Sequence, residues 1–250
     1  MTAVLALAAA CGRAPAAETP AGDTPQAAGP AAATVEAATT VAATSGAGAR
    51  PRVVFIGTSL TAGLGLDPDS AYPAVVGRLA ERAGTPIAVV NAGQSGETSA
   101  GALRRVDWVL REPADVVVVE TGANDGLRGL SVDSLRANLG AILARVRRDQ
   151  PRARVALVQM EAPRNLGAGY TGRFHAAFPA AAREAGVTLL PFLLDGVAGD
   201  PALNQPDGVH PTAEGARRVG ATVWKALRPV VDSAARPGAG AAGARVAGRG

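Results

Sequence analysis

Residues 114–121 read ADVVVVET, and a polar, glycine-rich segment, GANDGLRG (122–129), follows at once. The four consecutive valines leave no polar face, so both sides of this strand must be covered by apolar groups. Such continuous apolar strands are typical of parallel sheets with helices on both faces. The polar segment marks where this buried strand reaches the edge of its sheet.

Strand-like and helix-like segments alternate on both sides of that run. Thr98 and Ser131 are candidate N-caps of two helices, and Gly84 is a candidate C-cap of a third. With short connections between elements, the alternation predicts an α/β fold: a three-layer α/β/α sandwich with a five-stranded parallel sheet. The predicted strands cover 52–57, 86–93, 114–121, 154–160 and 187–192, and the main helices cover 70–84, 98–112, 131–150, 171–186 and 212–231.

Composition and charge exclude several classes of protein. The chain has 250 residues, of which 48% are hydrophobic and only 3% aromatic, so the core must be built from small side chains. The net charge of +4 comes mainly from the C-terminal end, and residues 51–233 are close to neutral. Without clustered bases or interleaved aromatics, nucleic-acid binding is not expected. The single cysteine excludes an intrachain disulfide and a multi-cysteine zinc site.

That cysteine, Cys11, ends the apolar run AVLALAAA (3–10), which is too short to span a bilayer. The string LAAACG resembles a bacterial lipoprotein lipobox, so residues 1–11 are predicted to be an export signal with lipidation at Cys11. The alternative is an alanine-rich leader with a chance cysteine. Export predicts a periplasmic or cell-envelope protein that reaches the membrane through a lipid anchor.

Low-complexity segments flank the predicted domain. Residues 12–50 are rich in Ala, Pro and Thr and are predicted to be a disordered tether, because they cannot bury enough apolar surface to fold. Residues 233–250 are predicted to be a disordered Gly/Ala/Arg tail. The folded domain is therefore expected over 51–232, and we expect it to be a monomer.

Four polar, glycine-punctuated segments follow predicted strands or precede the last helix. In parallel α/β sheets, sites form beyond the carboxyl ends of the strands, so these segments are expected to converge at one edge. The segments are GTSLTAG (57–63), NAGQSGETSAG (91–101), GANDGLRG (122–129) and DGVHPTAEG (207–215).

The last segment carries the most chemical information. Asp207 and His210 are three residues apart in a glycine-containing turn, so the carboxylate can fold back onto the imidazole Nδ1–H and leave Nε2 free as a base. Pro211 disfavours helical geometry at His210 and holds it outside the following helix. The other histidine, His175, lies within a predicted helix and is interpreted as a partly solvated surface residue.

A histidine base of this kind acts in catalysis together with a nucleophile and with hydrogen-bond donors for the oxyanion. Ser59 lies where the first strand ends; it is either a helix N-cap or a nucleophile, and the Asp–His pair favours the nucleophile. Ser95 is a rival, but its context breaks the G-x-S-x-G pattern and it is interpreted as structural. The Gly96 backbone N–H and the Asn124 side-chain amide are candidate donors, although both residue types are also common in turns.

In this order, GTSL, NAGQSGET, GAND and DGVHP resemble the four blocks of the SGNH/GDSL hydrolases, over roughly residues 52–231. The resemblance implies a flavodoxin-like fold. It also implies Ser59 as nucleophile, Asp207 and His210 as its triad partners, and an oxyanion hole of Ser59, Gly96 and Asn124. Thr58 departs from the family pattern, since an aspartate usually precedes the nucleophile. No cofactor or metal is required, and Glu97 with Asp125 would be a poor metal site.

The implied reaction is ester hydrolysis through an acyl-enzyme. Short-chain or aryl esters are expected first, then acyl thioesters and lysophospholipids. A mobile loop at 161–172 is expected to shape the acyl pocket. Leu127, Leu166 and Tyr170 are candidates for its apolar lining, and Arg128 and Arg164 for contacts to anionic head groups. The alternatives are a cell-envelope glycan O-acyl transferase or deacetylase, and a non-catalytic envelope-binding module on the same scaffold.

Overall fold

The computed structural model describes residues 50–235, and these contain a five-stranded sheet in which every strand pairs in parallel. The strand order is β2-β1-β3-β4-β5. This sheet confirms the predicted fold class and has the flavodoxin-like order. The strands are β1 (Arg52–Gly57), β2 (Ala88–Gly93), β3 (Val116–Val119), β4 (Arg154–Gln159) and β5 (Thr188–Phe192).

Seven α-helices accompany the strands within these residues. Helices α2 and α7 pack together on one face of the sheet, while α3, α5 and α6 pack in sequence over the other, which gives three layers. The helices are α1 (Ser59–Ala62), α2 (Tyr72–Arg82), α3 (Ser99–Val109), α4 (Ala123–Leu127), α5 (Val132–Asp149), α6 (Ala168–Ala185) and α7 (Ala213–Ala234).

The valine run forms the centre of the sheet. All four residues of β3 have no solvent exposure, and β3 pairs with β1 on one side and β4 on the other. Four valines in a row suit this position because helices cover both faces of the strand.

The predicted caps are also observed. The Thr98 hydroxyl accepts a hydrogen bond from the Gly101 N–H, and the Ser131 hydroxyl accepts one from the Ser134 N–H. Gly84 has φ of +75° just beyond α2, a conformation that glycine adopts at low cost.

Three local features differ from the expectation. Helices α1 and α4 follow β1 and β3, although the sequence predicted no helix over 122–129 and left only the start of one open at Ser59, because helices this short show no periodicity in sequence. The predicted mobile loop at 161–172 holds a 3₁₀ turn, Arg164–Leu166, and the start of α6, so that prediction was wrong for its second half. Helix α7 runs to Ala234, into the predicted tail.

The sheet order fixes where a site can form. In the sheet, β2 lies on one side of β1, and β3 and the later strands lie on the other. The direction of the connections therefore reverses at β1, and the crevice beyond its carboxyl end is the topological switch point. In residues 50–235, no helix combines the length and apolar character needed to cross a bilayer.

Candidate active site

Ser59 begins the short helix at the switch point. The N-cap of α1 is Thr58, whose hydroxyl accepts from the Leu60 N–H at 3.4 Å, so Ser59 is not the N-cap that the sequence left open. Ser59 is the first helical residue and is 8% exposed. Its hydroxyl is therefore not used for capping, and its Oγ lies 2.8 Å from His210 Nε2.

Asp207 orients the imidazole of His210. Asp207 Oδ2 lies 2.6 Å from His210 Nδ1, and because a carboxylate only accepts, Nδ1 carries the proton and neutral Nε2 accepts from the Ser59 hydroxyl. The other oxygen, Oδ1, accepts the backbone N–H groups of Val209 and His210. The backbone N–H of His210, its ring N–H and the Val209 N–H together lower the pKa of Asp207 to about 2.

Gln205 ties the turn that carries His210 to the turn that follows Ser59. Its side-chain amide donates to the carbonyls of Leu64 and Pro211, at 2.8 and 2.9 Å, and its backbone N–H donates to His210 O at 2.7 Å. Gly65 is needed beside it, because a Cβ there would lie 2.4 Å from Gln205 Oε1. The turn that follows Ser59 and the turn that carries His210 are far apart in sequence, and these bonds hold them in a fixed relative position.

Gly96 lies on the loop after β2, and Asn124 lies in the short helix α4, which follows β3. Gly96 has φ of +76°, and its N–H donates no hydrogen bond to any acceptor in residues 50–235. The Asn124 amide donates to Glu97 O at 3.0 Å. Arg128 donates to Gly96 O at 3.1 Å, so this arginine fixes the Gly96 loop instead of lying free for an anionic head group.

The acidic residues at this edge serve the protein's own structure. Glu97 forms a bidentate ion pair with Arg105 at 2.7 and 2.8 Å, and Arg105 also donates to the carbonyls of Gly57 and Ala92. Asp125 accepts both the N–H and the hydroxyl of Ser99. Both carboxylates are therefore engaged, and Arg105 joins the ends of β1 and β2 to the Gly96 loop, a role that sequence reasoning missed.

A second missed residue is Glu120, which follows β3 and is fully buried. Its carboxylate accepts from the Thr58 N–H at 2.7 Å and from the hydroxyls of Thr58 and Thr61. A charged residue directly after four buried valines was the available signal. These contacts also give Thr58 a structural role, because its hydroxyl donates to the buried Glu120 carboxylate.

Some predicted residues lie elsewhere. In residues 50–235 no hydrogen bond joins the Ser95 side chain to His210, whose ring nitrogens are next to Asp207 and Ser59. His175 is an exposed residue of α6 paired with Glu161 at 2.7 Å. The Tyr170 hydroxyl donates to Leu130 O at 2.8 Å, so it braces the segment after α4. Cys11 lies outside the described residues, as does most of the predicted tether and tail.

A small apolar pocket opens beside the Ser59–His210 pair. Its volume is about 10 Å³, about the space that one water-sized group needs, and it is partly open to solvent. Leucines dominate its wall, with contributions from α7. The lining includes Leu64, Leu66, Leu193, Leu194, Ala216 and Val219.

Comparison with known proteins agrees with this geometry. The sequence model of the GDSL-like Lipase/Acylhydrolase family matches residues 55–218. The chain belongs to this family, as the four sequence blocks predicted.

Two curated relatives and one solved structure are similar over most of the chain. Esterase TesA of Pseudomonas aeruginosa is 37% identical over 73% of this chain and 90% of its own. Thioesterase 1/protease 1/lysophospholipase L1 of Escherichia coli (strain K12) is 34% identical over 74% of this chain and 88% of its own. The crystal structure of TesA superposes with a TM-score of 0.68 at 36% identity, covering 72% of this chain and 99% of that one.

Proposed function

We propose that this protein is a serine esterase that hydrolyses carboxylic esters through an acyl-enzyme on Ser59. The observation that carries the proposal is the unbroken chain of contacts from Ser59 Oγ to His210 Nε2 (2.8 Å) and from His210 Nδ1 to Asp207 Oδ2 (2.6 Å). Membership of an acylhydrolase family, with relatives named esterase and thioesterase, supports the same reaction class.

In the first step, His210 Nε2 takes the Ser59 proton as the serine oxygen attacks the ester carbonyl. The oxyanion is stabilised by the backbone N–H groups of Ser59 and Gly96 and by the Asn124 amide. Asp207 stays ionised and stabilises the imidazolium that forms. His210 then protonates the leaving alcohol, which departs and leaves an acyl-serine.

In the second step, water replaces the alcohol. His210 takes a proton from the water, the hydroxide attacks the acyl carbonyl, and the second oxyanion occupies the same donors. Collapse releases the carboxylic acid and returns the proton to Ser59.

Short-chain and aryl esters are the substrates that the site favours. The apolar pocket beside Ser59 is small and lacks a charged lining residue, which suits a short acyl group better than a long one. Acyl thioesters and lysophospholipids follow as candidates, since the E. coli relative carries both activities in its name.

Export and lipidation are a separate part of the proposal. They rest on the lipobox-like string that ends at Cys11. Mass spectrometry of the mature N-terminus from the membrane fraction tests them: a diacylglyceryl-modified Cys11 is expected, and an unmodified Cys11 would reject the anchor. Gel filtration of a chain lacking residues 1–11 tests the expected monomer.

The decisive experiment is covalent labelling with a fluorophosphonate probe followed by peptide mapping. We expect one adduct, on Ser59, in the folded protein. Ser59→Ala should abolish both labelling and turnover of a p-nitrophenyl ester, whereas Ser95→Ala should leave both intact. Labelling at another residue, or turnover retained in Ser59→Ala, would reject the assignment of Ser59.

A further inference from the structure

Outside the Ser59–His210–Asp207 hydrogen-bond chain, the most unusual group next to Ser59 is the buried carboxylate of Glu120. It has no solvent exposure, and no Lys, Arg or His in residues 50–235 forms an ion pair with it. A buried, unpaired carboxylate is expensive, so its partners must compensate for lost hydration. Burial raises the pKa of Glu120, while hydrogen bonds from Thr58 and Thr61 oppose that shift.

The donors to Glu120 all come from the turn that carries Ser59. The Thr58 N–H donates to Oε2 at 2.7 Å, and the Thr58 hydroxyl lies 3.0 and 3.1 Å from the two oxygens. The Thr61 hydroxyl donates to Oε2 at 2.8 Å and is itself 2.9 Å from the Tyr72 hydroxyl. One carboxylate therefore joins the residue before Ser59 to the residue two positions after it.

Close packing at two glycines also holds the turn that carries Ser59 against the Glu120 carboxylate. A Cβ on Gly57 would lie 1.9 Å from Thr61 Oγ1 and 2.7 Å from Glu120 Oε2. On the other side, a Cβ on Gly93 would lie 2.2 Å from the Ala62 nitrogen. Helix α1 is thus held between the end of β2 and the Glu120 carboxylate, with no room for a side chain at either glycine.

The hydrogen bonds to Glu120 do not use the backbone N–H or the hydroxyl of Ser59, which the proposed reaction needs. The Thr58 hydroxyl caps the Leu60 N–H, and the Thr58 N–H goes to Glu120, so neither consumes the Ser59 N–H or its Oγ. A four-residue helix cannot hold its own geometry, since helices this short are marginal in water. The position of the Ser59 oxygen must therefore depend on external contacts.

We propose that Glu120 is a positioning residue that holds Ser59 in line with His210 by accepting hydrogen bonds from Thr58 and Thr61. The inference rests on the proposed function, because it concerns the same nucleophile. The proposed role of residue 120 requires a side-chain oxygen that accepts hydrogen bonds. A glutamine would keep one such oxygen, whereas a methionine of similar size would keep none.

The test compares Glu120→Gln with Glu120→Met in steady-state hydrolysis of a p-nitrophenyl ester. A nucleophile displaced by about 1 Å costs on the order of 100-fold in rate, so we expect kcat of Glu120→Met to fall by about that factor. KM should change little, and Glu120→Gln should stay within about tenfold of wild type. Wild-type kcat in Glu120→Met, or equal losses in both variants, would overturn the proposal.

Thr58 supplies a second, independent pair of variants. Thr58→Ser keeps the hydroxyl donor and should retain kcat, whereas Thr58→Val keeps the shape but loses the donor and should lower kcat by about tenfold, which is about 1.4 kcal/mol of activation free energy. If Glu120→Met does not fold, this pair decides: equal kcat in Ser and Val variants would reject the positioning role.

A matched control separates positioning from general loss of stability. Gln150 is also buried; its side chain bonds to the backbone of Leu110, Glu112 and Ala114, next to the start of β3. Gln150→Met should lower the melting temperature but leave kcat unchanged at a temperature where the protein is folded.

Amide hydrogen exchange at Thr58 gives a readout that does not depend on turnover. Protection should persist in wild type and Glu120→Gln and be lost in Glu120→Met. If wild type is not labelled by the fluorophosphonate, the proposed function fails while this exchange pattern still decides whether Glu120 holds the turn. Protection retained in Glu120→Met would overturn the inference.

Discussion

Asp207 and His210 contact each other twice within one turn, through ring Nδ1 and Oδ2 at 2.6 Å and through the His210 backbone N–H and Oδ1 at 3.0 Å. The double contact fixes both the rotation and the tautomer of the imidazole. Gly208 between them has φ of +69°, a backbone conformation that lets the turn close. The Asp207 carboxylate therefore fixes the orientation of the His210 imidazole from within the same turn.

We therefore expect Asp207→Asn to lower kcat by about 10²- to 10⁴-fold, because an amide can present an N–H to Nδ1 and favour the wrong tautomer. The fold should be retained, since Asn Oδ1 can still accept the backbone N–H groups. Steady-state kinetics with circular dichroism checks both points. A kcat within threefold of wild type would show that His210 is held by other contacts.

The pKa of Asp207, about 2 against an ordinary 3.8, predicts a pH dependence of stability. Because the folded-state pKa is lowered, the ionised carboxylate stabilises the fold above about pH 4, and this contribution disappears as the pH falls towards 2. The difference in free energy of unfolding between wild type and Asp207→Asn should therefore shrink as the pH falls from about 4 towards 2. Urea titrations at pH 6, 4 and 3 measure this. A difference that grows between pH 4 and pH 3 would contradict the sign.

Asn124→Ala removes the side-chain donor to the oxyanion. We expect kcat to fall by about 10²- to 10³-fold with little change in KM, because the amide bonds to charge that develops only in the transition state. Asn138, which donates to Ser99 at 2.9 Å, provides a control from the neighbouring helix α5. Asn138→Ala should leave kcat near wild type, and a KM effect alone in Asn124→Ala would exclude the oxyanion role.

Gly57→Ala should destabilise the protein, since the new Cβ would lie 1.9 Å from Thr61 Oγ1 and 2.4 Å from Thr61 Cβ. Overpacking of this kind costs about 3 kcal/mol, and activity should be lost with it. Gly140 in α5 has nothing within 4 Å of its Cβ position, so Gly140→Ala should instead stabilise by about 0.5–1 kcal/mol. Thermal and urea unfolding of the two variants gives the comparison.

The pocket beside Ser59 predicts a preference for short chains. For p-nitrophenyl esters of increasing acyl length, kcat/KM should be highest for short acyl groups. Leu66→Ala enlarges the pocket and should shift the optimum to longer chains. Leu189→Ala on edge strand β5, which is outside the pocket, should leave the profile unchanged. An unaltered profile in Leu66→Ala would place the acyl group elsewhere.

The strand pattern and the caps were predictable because they depend on neighbours in sequence. The valine run, the alternation of elements and the capping roles of Thr98 and Ser131 all follow from local chemistry. The contact of Asp207 with His210 was equally local. The bounds of helices α1 and α4 were not predictable, since one turn of helix is stabilised by its surroundings and leaves no periodic signal.

The sequence by itself determined the fold class, the family and the residues available for the reaction. Only the tertiary structure decided that Ser59 and His210, 151 positions apart, lie 2.8 Å from each other, and that Glu120 and Arg105 hold the loops between them. Contacts of this kind arise from packing strands into one sheet, so they depend on elements distant in sequence. A buried glutamate after four valines signals that something binds it, but only the folded chain identifies Thr58 and Thr61 as the partners.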